Sequence, residues 1–503
     1  MSRALVLARL AAAAFAAASA ACALAAPGVA IVVADGVALR ASPRDSAKPL
    51  APLWKGDPLE VRGERRDYLE VYDARLERGG FVRARLVRRV ALDASAASGL
   101  LTVLRFLRDA PGTESLAVAY AAAYIQAAPA ESIRGSDGAE ALEALGAASQ
   151  RLAELASSGA ARSASAQAAL AAHLEIAAHY GVGFETVQRD EDHVVVCYDG
   201  DAFRRLLDLG RASPEQAARA VLALTRADCA PGSLEPTRKR AEDEARAALL
   251  DRVAPEALPA YLGNRVHMRR AAVWSGIAFD RARRGEPAQA AAERALDELA
   301  RVERGELTDA DRAAYADAAM RVNASRWAAL PVPPDAAGEA APADGPRLIT
   351  VAGAPGETCL LLVAGKRDAA DPLVKRCTWG LVWRASTRVN REGTALEVAV
   401  QHTESWRELW VFRKAHGRWD LRTLPPAPSS PGVGYAEFAG WVPGGKLVLV
   451  AREAASEGGH RRSYELVRLD SLATVGGARD PSLLPTFQRW EDPAWRQSTV
   501  GLR

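Results

Sequence analysis

Between Ile31 and Val90 apolar and polar residues alternate in short runs: Val37/Leu39, Leu59/Val61, Leu69/Val71 and Phe81/Val82. Period-two alternation over a few residues predicts half-buried strands. Ser42-Pro43, Lys55-Gly56-Asp57-Pro58, Gly63 and Gly79-Gly80 separate the runs and supply turns. Several short strands within about 60 residues predict a small barrel or meander. That pattern ends abruptly. From Leu92 to Leu330 the chain is Ala-rich with Leu and Arg at helical spacing, and beyond Pro346 it returns to strand-like runs. A chain of 503 residues is too long for one hydrophobic core. The three textures therefore predict a multidomain α+β protein. Its expected parts are an N-terminal β-barrel over 28–91, a helical domain over 92–330, a linker over 331–346 and an antiparallel β domain over 347–503.

The order Val37-Ala-Leu-Arg40, Ser42-Pro43, Leu53-Trp-Lys-Gly-Asp57, Tyr68-Leu-Glu-Val71 and Gly80-Phe-Val82 resembles the bacterial SH3-like domain of exported cell-envelope proteins. Ser42 stands where that family usually has Gly. Tyr68 and Phe81 stand where it usually has Trp, keeping a flat apolar face without the indole donor. The resemblance implies an SH3-like barrel, an envelope location and a module that can bind peptide or glycan. Trp54, Tyr68 and Phe81 are its candidate ligand contacts.

The first residues agree with export. Arg3 and Arg9 lead into an Ala/Leu run from Leu10 to Ala26, and Ala23-Leu24-Ala25 has the small-x-small form of a cleavage site. This predicts a secretory signal peptide over residues 1–25 and a periplasmic or secreted protein. A lipid anchor on Cys22 is the alternative, but Ser19-Ala20-Ala21 lacks the aliphatic residue usual before a lipidated cysteine. No later apolar run is long enough to span a bilayer. The net charge is +3. The segment 31–90 is the basic part, with 13 Lys and Arg against 9 Asp and Glu. That modest excess suits a solvated barrel surface, with docking on anionic glycan or lipid as the alternative, and no nucleic acid is expected as a partner.

Export makes the cysteines informative. Removing the leader leaves Cys197, Cys229, Cys359 and Cys377, an even number in an oxidising compartment. Proximity along the chain predicts Cys197–Cys229 and Cys359–Cys377.

Helix signals are clear in the middle region. Asp199 precedes Phe203, Leu206 and Leu207, with Gly210 after them. Ser213-Pro-Glu-Gln216 is a capping box with Pro at the first helical position. Thr308 opens another helix. His193-Val-Val-Val-Cys197 reads as an isolated strand. Trp274–Leu299 resembles half of a tetratricopeptide unit without a partner one period away, so a plain helical bundle or hairpin stack is expected there, with a helical repeat array as the alternative.

The C-terminal region holds eight of the 11 Trp residues. Gly393-Thr-Ala-Leu-Glu-Val-Ala-Val400 echoes Gly445-Lys-Leu-Val-Leu-Val-Ala451, and Arg407–Phe412 echoes Ser463–Arg468. The turn Trp441-Val-Pro-Gly-Gly-Lys446 resembles that of TolB-type propeller blades, with Gly444 in place of the Asp. A region this short holds too few blades for a ring, so a sandwich or open sheet stack is expected. Trp379/Trp383 and Trp406/Trp410 each suit a shared strand face, as core or as a carbohydrate platform.

The sequence carries none of the common catalytic patterns. There is no His-Glu-x-x-His. His173 and His179, six apart on a helix, point about 120° apart and lie about 9 Å apart along the axis, too far for one zinc. Cys197 precedes a helix, but Asp199 and Asp201 disfavour a thiolate. No phosphate loop, dinucleotide fingerprint or serine elbow occurs. No cofactor or metal is implied. The sequence thus points to an exported, non-catalytic envelope binding or scaffolding protein, with peptidoglycan or an envelope protein as partner. The alternatives are a peptidoglycan-directed cysteine hydrolase using Cys197, and a protein-interaction adaptor using the helical domain.

Overall fold

The computed structural model describes residues 28–159, 161–188, 194–231, 234–330, 344–428, 432–456 and 459–498. The expected leader and Cys22 lie outside the described residues, as does most of the expected linker. The chain forms two compact units, Met1–Ser233 and Leu234–Arg503. Their boundary falls inside the stretch read as one helical domain, so the helices are divided between the units.

The first unit opens with seven strands: β1 (Gly28–Val32), β2 (Val37–Arg40), β3 (Pro49–Leu53), β4 (Pro58–Arg65), β5 (Tyr68–Asp73), β6 (Arg78–Arg83) and β7 (Val87–Val90). They form one antiparallel sheet in the order β3-β2-β6-β5-β4-β1-β7. Leu39, Leu59, Leu69, Val71 and Val82 make its core, as the alternation requires. The strands form an antiparallel sheet; among the described residues no ladder joins β3 to β7 to close it into the expected barrel. Pro49 and Pro52 lie on β3 and lack the N–H groups that a further partner strand would need. Gly80 is required where β6 crosses β2, since a Cβ there would lie 2.8 Å from the Arg40 carbonyl oxygen.

Among the described residues seven α-helices follow in this unit: α1 (Ala97–Leu107), α2 (Glu114–Ala127), α3 (Ala130–Ile133), α4 (Ser136–Ser157), α5 (Ala164–His179), α6 (Asp201–Asp208) and α7 (Pro214–Leu224). Small residues let them pack closely. Ala139, Ala141, Ala144, Ala148 and Ala153 of α4 are buried, and a Cβ on Gly146 would strike the Phe203 ring. Ser213 caps α7 through the expected capping box with Gln216. The strand β9 (Val194–Tyr198) is not isolated: it pairs antiparallel with β8 (Phe184–Gln188). His193 lies outside the described residues. Residue 199 does not cap α6; Gly200, at φ 83°, does, and Asp199 accepts the Asp201 N–H instead.

The sheet is joined to the helices at the turn between β3 and β4. A Cβ on Gly56 would lie 2.7 Å from the Ser115 carbonyl oxygen, and φ is 93° there, so only glycine fits. Ser115 and Tyr180 donate hydroxyl bonds to the carbonyls of Lys55 and Gly56, at 2.8 and 2.9 Å. Beside this turn the fully buried Asp57 accepts the Trp54 N–H at 2.8 Å and pairs with Arg75 at 3.1 Å. Arg75 also reaches Glu175 of α5.

The second unit begins with α8 (Pro236–Asp251), α9 (Ala260–Arg283), α10 (Gln289–Ala300) and α11 (Asp309–Ser325), the last capped by Thr308 as expected. Helices α9 and α10 form the expected hairpin. The strands follow: β10 (Arg347–Ala352), β11 (Thr358–Val363), β12 (Val374–Thr378), β13 (Leu381–Val389), β14 (Ala395–Thr403), β15 (Trp406–Ala415), β16 (Arg418–Leu424), β17 (Gly434–Val442), β18 (Leu447–Ser456), β19 (Gly459–Arg468) and β20 (Thr474–Ala478). Strands β10–β12 make a small antiparallel sheet. Strands β13–β16 and β17–β20 are two four-stranded antiparallel meanders, joined by a short parallel pairing of Arg407 with Tyr435. The internal echo in the sequence is therefore structural: β14 and β15 of one meander correspond to β18 and β19 of the next. Two short helices, α12 (Pro485–Trp490) and α13 (Pro493–Ser498), cover the second meander, with Phe487 and Trp495 packed on Tyr464. Glu404, in the hairpin between β14 and β15, pairs with Lys239 of α8 at 2.7 Å and with Arg321 of α11 at 3.7 Å.

Candidate functional site

The three residues expected to contact a ligand do not gather. Tyr68 is 5% exposed, and its hydroxyl donates to Asp45, which also holds Arg83. Arg83, then Tyr68, holds the Asp45 carboxyl down at about 2. Phe81 pairs with Glu70 two residues along the same ladder, on the same face as Tyr68, and is half-buried. Trp54 stands elsewhere, half-buried at the turn that meets the helices, its ring edge-on to His173 at 6.4 Å. His173 itself bonds Asp35 at 2.9 Å. Trp54 thus contributes packing. Trp54→Ala should lower the stability of the first unit by about 1–2 kcal/mol. Urea unfolding followed by circular dichroism checks this, and an unchanged midpoint would remove the packing role.

The cysteines pair as expected. Cys197 bonds Cys229 and Cys359 bonds Cys377. Among the described residues the one cluster with metal-ligand spacing is Glu357, Cys359 and Cys377, and both its sulfurs are in that disulfide. The Trp pairs are mostly core. Trp383, Trp406 and Trp410 are buried, and the Trp383 indole donates to Gln401 at 2.8 Å. Trp379 is 61% exposed and lies in the turn before β13, not on the strand of Trp383.

The most concentrated polar chemistry lies elsewhere in the second unit, around a cavity of about 270 Å³. Strand β13 contributes Ser386 and Arg388, β14 Glu397 and Ala399, β15 Arg407 and Leu409, and β17 Ala436, Glu437 and Phe438. The short turn after α11 adds Arg326 and Trp327, and the C-terminal segment adds Asp492, Trp495 and Gln497. On β14 and β15 the strand period sets the selection: residues 397 and 399 share one face of β14, as do 407 and 409 of β15, whereas β17 contributes three consecutive residues. Ladder register sets Arg388 directly opposite Glu397.

The charges here are deeply buried. Arg407 is 0% exposed, Arg326 5%, Glu437 3% and Glu397 2%. Two guanidiniums share one carboxylate oxygen. Arg326 donates through Nε to Glu437 Oε1 at 2.8 Å and through Nη2 to the same atom, and Arg407 Nη2 lies 3.3 Å from it. Arg407 Nη1 donates to the Asn323 carbonyl at 2.7 Å. The Arg326 guanidinium lies 4.2 Å from the Trp327 ring centre. Burial, followed by the charge of Arg326, pulls Arg407 down to about 10, still protonated at neutral pH. Burial pushes the Glu397 carboxyl well above the usual range. Glu437 and Asp492 push the same way, against Arg388 and Arg407.

None of these residues stood out in the sequence. The only available signal was a charge set inside an apolar run: Leu396-Glu397-Val398 and Ala436-Glu437-Phe438. The arrangement can hold a small ligand in a site with guanidinium donors, carboxyl groups and indole walls. Among the described residues no helix is long and apolar enough to cross a membrane. Comparison with protein-family models, with curated proteins and with solved structures finds no match.

Proposed function

We propose that this is an exported, non-catalytic binding protein of the cell envelope, with an SH3-like N-terminal module and a ligand site inside the C-terminal β unit. The observation that carries the binding reading is the cavity lined by Arg326, Arg388, Arg407, Glu397 and Glu437. Ionic groups are costly to bury, and a protein built only for packing fills such a space with apolar side chains. The envelope location rests on the basic-apolar-small leader and is supported by the two disulfides. The SH3-like reading rests on the strand order and turn residues of 31–90. The cysteine-hydrolase alternative loses its nucleophile, because Cys197 is held in a disulfide.

Native mass spectrometry of gently purified mature protein tests the binding reading. A small molecule should remain bound and be lost on unfolding. If only the polypeptide mass is found, and mixtures of small acids, amines and sugars leave the melting temperature unmoved, the cavity is not a ligand site.

A further inference from the structure

Resting on the reading of the cavity as a ligand site, we infer that its ligand is an apolar α-amino acid, held as the zwitterion with its carboxylate on Arg388 and its ammonium on Glu397. Ladder register sets these two residues directly opposite each other on β13 and β14, and both line the cavity. Side chains so placed leave one face of the sheet with Cβ atoms about 5 Å apart. Yet the two make no hydrogen bond to each other, and Arg388 bears on Glu397 through its charge alone. Arg388 Nη1 donates to the carbonyls of Ala385 and Thr387, at 3.1 and 2.9 Å. Its Nε and Nη2 have no acceptor among the described residues and are reachable by solvent. That edge of a guanidinium is the fork that takes a carboxylate through two parallel bonds. Glu397 is 2% exposed, accepts no hydrogen bond from the described residues, and opens into the cavity it lines. A buried carboxyl group without a donor calls for one from a ligand.

An α-amino acid carries its two charges on one carbon, so it needs a guanidinium and a carboxylate side by side. The surrounding charges suit a ligand with no net charge of its own. Arg326 and Arg407 share Glu437, and Asp492 also lines the cavity. With Glu397 ionised, three guanidiniums then face three carboxylates. Burial disfavours the Glu397 anion, and an ammonium group beside it offsets that cost. A lone anion or a lone amine would engage one member of the pair and leave the other without a partner. Trp327, Phe438 and Trp495 line the same space and suit an apolar side chain. The Arg388 guanidinium lies 5.8 Å from the Trp327 ring centre, so the carboxylate position adjoins that wall. A cavity of about 150 Å³ accepts benzene, so about 270 Å³ accommodates a phenyl or isobutyl group with its amino and carboxylate groups.

Calorimetric titration of the mature chain with L-phenylalanine and L-leucine, against 3-phenylpropanoate and 2-phenylethylamine, tests this. The last two keep the phenyl body and each lack one charge. The amino acids should bind at least about tenfold more tightly than either, since each missing contact is a hydrogen bond between charged groups. Arg388→Gln should weaken L-phenylalanine by a similar factor without weakening 2-phenylethylamine. Glu397→Gln should do so without weakening 3-phenylpropanoate. Melting curves confirm that the variants are folded, and the comparison of the four compounds on the natural chain stands without them. Amino acids that bind no more tightly than a singly charged analogue overturn the zwitterion inference while leaving a ligand site in place. Binding of none of the four does the same where native mass spectrometry finds another molecule retained, and overturns both readings where it finds only the polypeptide. Weakening that is absent in a variant, or matched in the analogue, overturns the role of that residue.

Discussion

Glu437→Gln should destabilise the second unit by about 3–5 kcal/mol at neutral pH, the cost of leaving a buried charge without its partner. Glutamine preserves the shape and one carbonyl acceptor, so the loss is one of charge. Arg326 and Arg407 would then stand together in the interior, 5% and 0% exposed, without the carboxylate they share. Desolvation is what makes this expensive. An exposed ion pair is worth at most about 1 kcal/mol, because water solvates whichever partner remains. Neither guanidinium here has that recourse. Net stabilities of domains are about 5–15 kcal/mol, so the substitution removes a large share. Ten of the 11 Trp residues lie in this unit, so indole fluorescence in urea reports its unfolding. A midpoint shift corresponding to less than about 1 kcal/mol would mean that the trio is solvated in solution.

What the sequence concealed about this site has a specific physical cause. In β14, Leu396, Val398 and Val400 form one apolar face, so Glu397, Ala399 and Gln401 read as the solvent face. In the structure every residue from Ala395 to Gln401 is buried. Alternation reports which side chains differ, but not whether the polar side is wet. It cannot reveal a second layer laid over that side by the helices and by the C-terminal segment. Strand β17 was hidden for another reason. Gly434, Ala436, Ala439 and Gly440 weaken its strand signal, yet the glycines are there because neighbours come close. A Cβ on Gly434 would lie 2.7 Å from the Glu453 carbonyl oxygen, and one on Gly440 would lie 2.2 Å from that of Trp490. Glycines that look like turn signals thus mark close approach.

Other features were legible because their signals are local. The Ser213 capping box, the Thr308 cap, the turn at His416-Gly417 with both φ angles positive, and the repeated strand pair of the C-terminal region each depend on a few adjacent residues. The division of the helices between two units was not legible, since it depends on which surfaces α8 to α11 find. Glu404 on its hairpin is one anchor, and nothing near Glu404 in sequence announces Lys239 or Arg321.

Replacing Cys197 and Cys229 together by alanine should cost the first unit about 3–4 kcal/mol, on the loop-entropy estimate for a closed loop of this size. The two residues are 32 apart in sequence. The bridge joins the end of β9 to the segment that follows α7, two places that the chain itself connects through α6 and α7. Its loss enlarges the unfolded ensemble without removing a large side chain, so the folded structure should persist with a lower midpoint. The prediction also bears on chemistry. Unreduced, denatured protein should take up no alkylating reagent at Cys197, Cys229, Cys359 or Cys377, and all four should label after reduction. Labelling of Cys197 before reduction would restore a free thiol two residues ahead of Asp199 and reopen the hydrolase reading. Protection of all four leaves the described chain with no resting thiolate, because the reactive species of a cysteine is the thiolate and a disulfide has none. Stability and reactivity are then decided by the same bond. A double-alanine variant whose first unit unfolds at a lower urea concentration, while the indole fluorescence of the second unit keeps its midpoint, would confine the role of the bridge to the first unit.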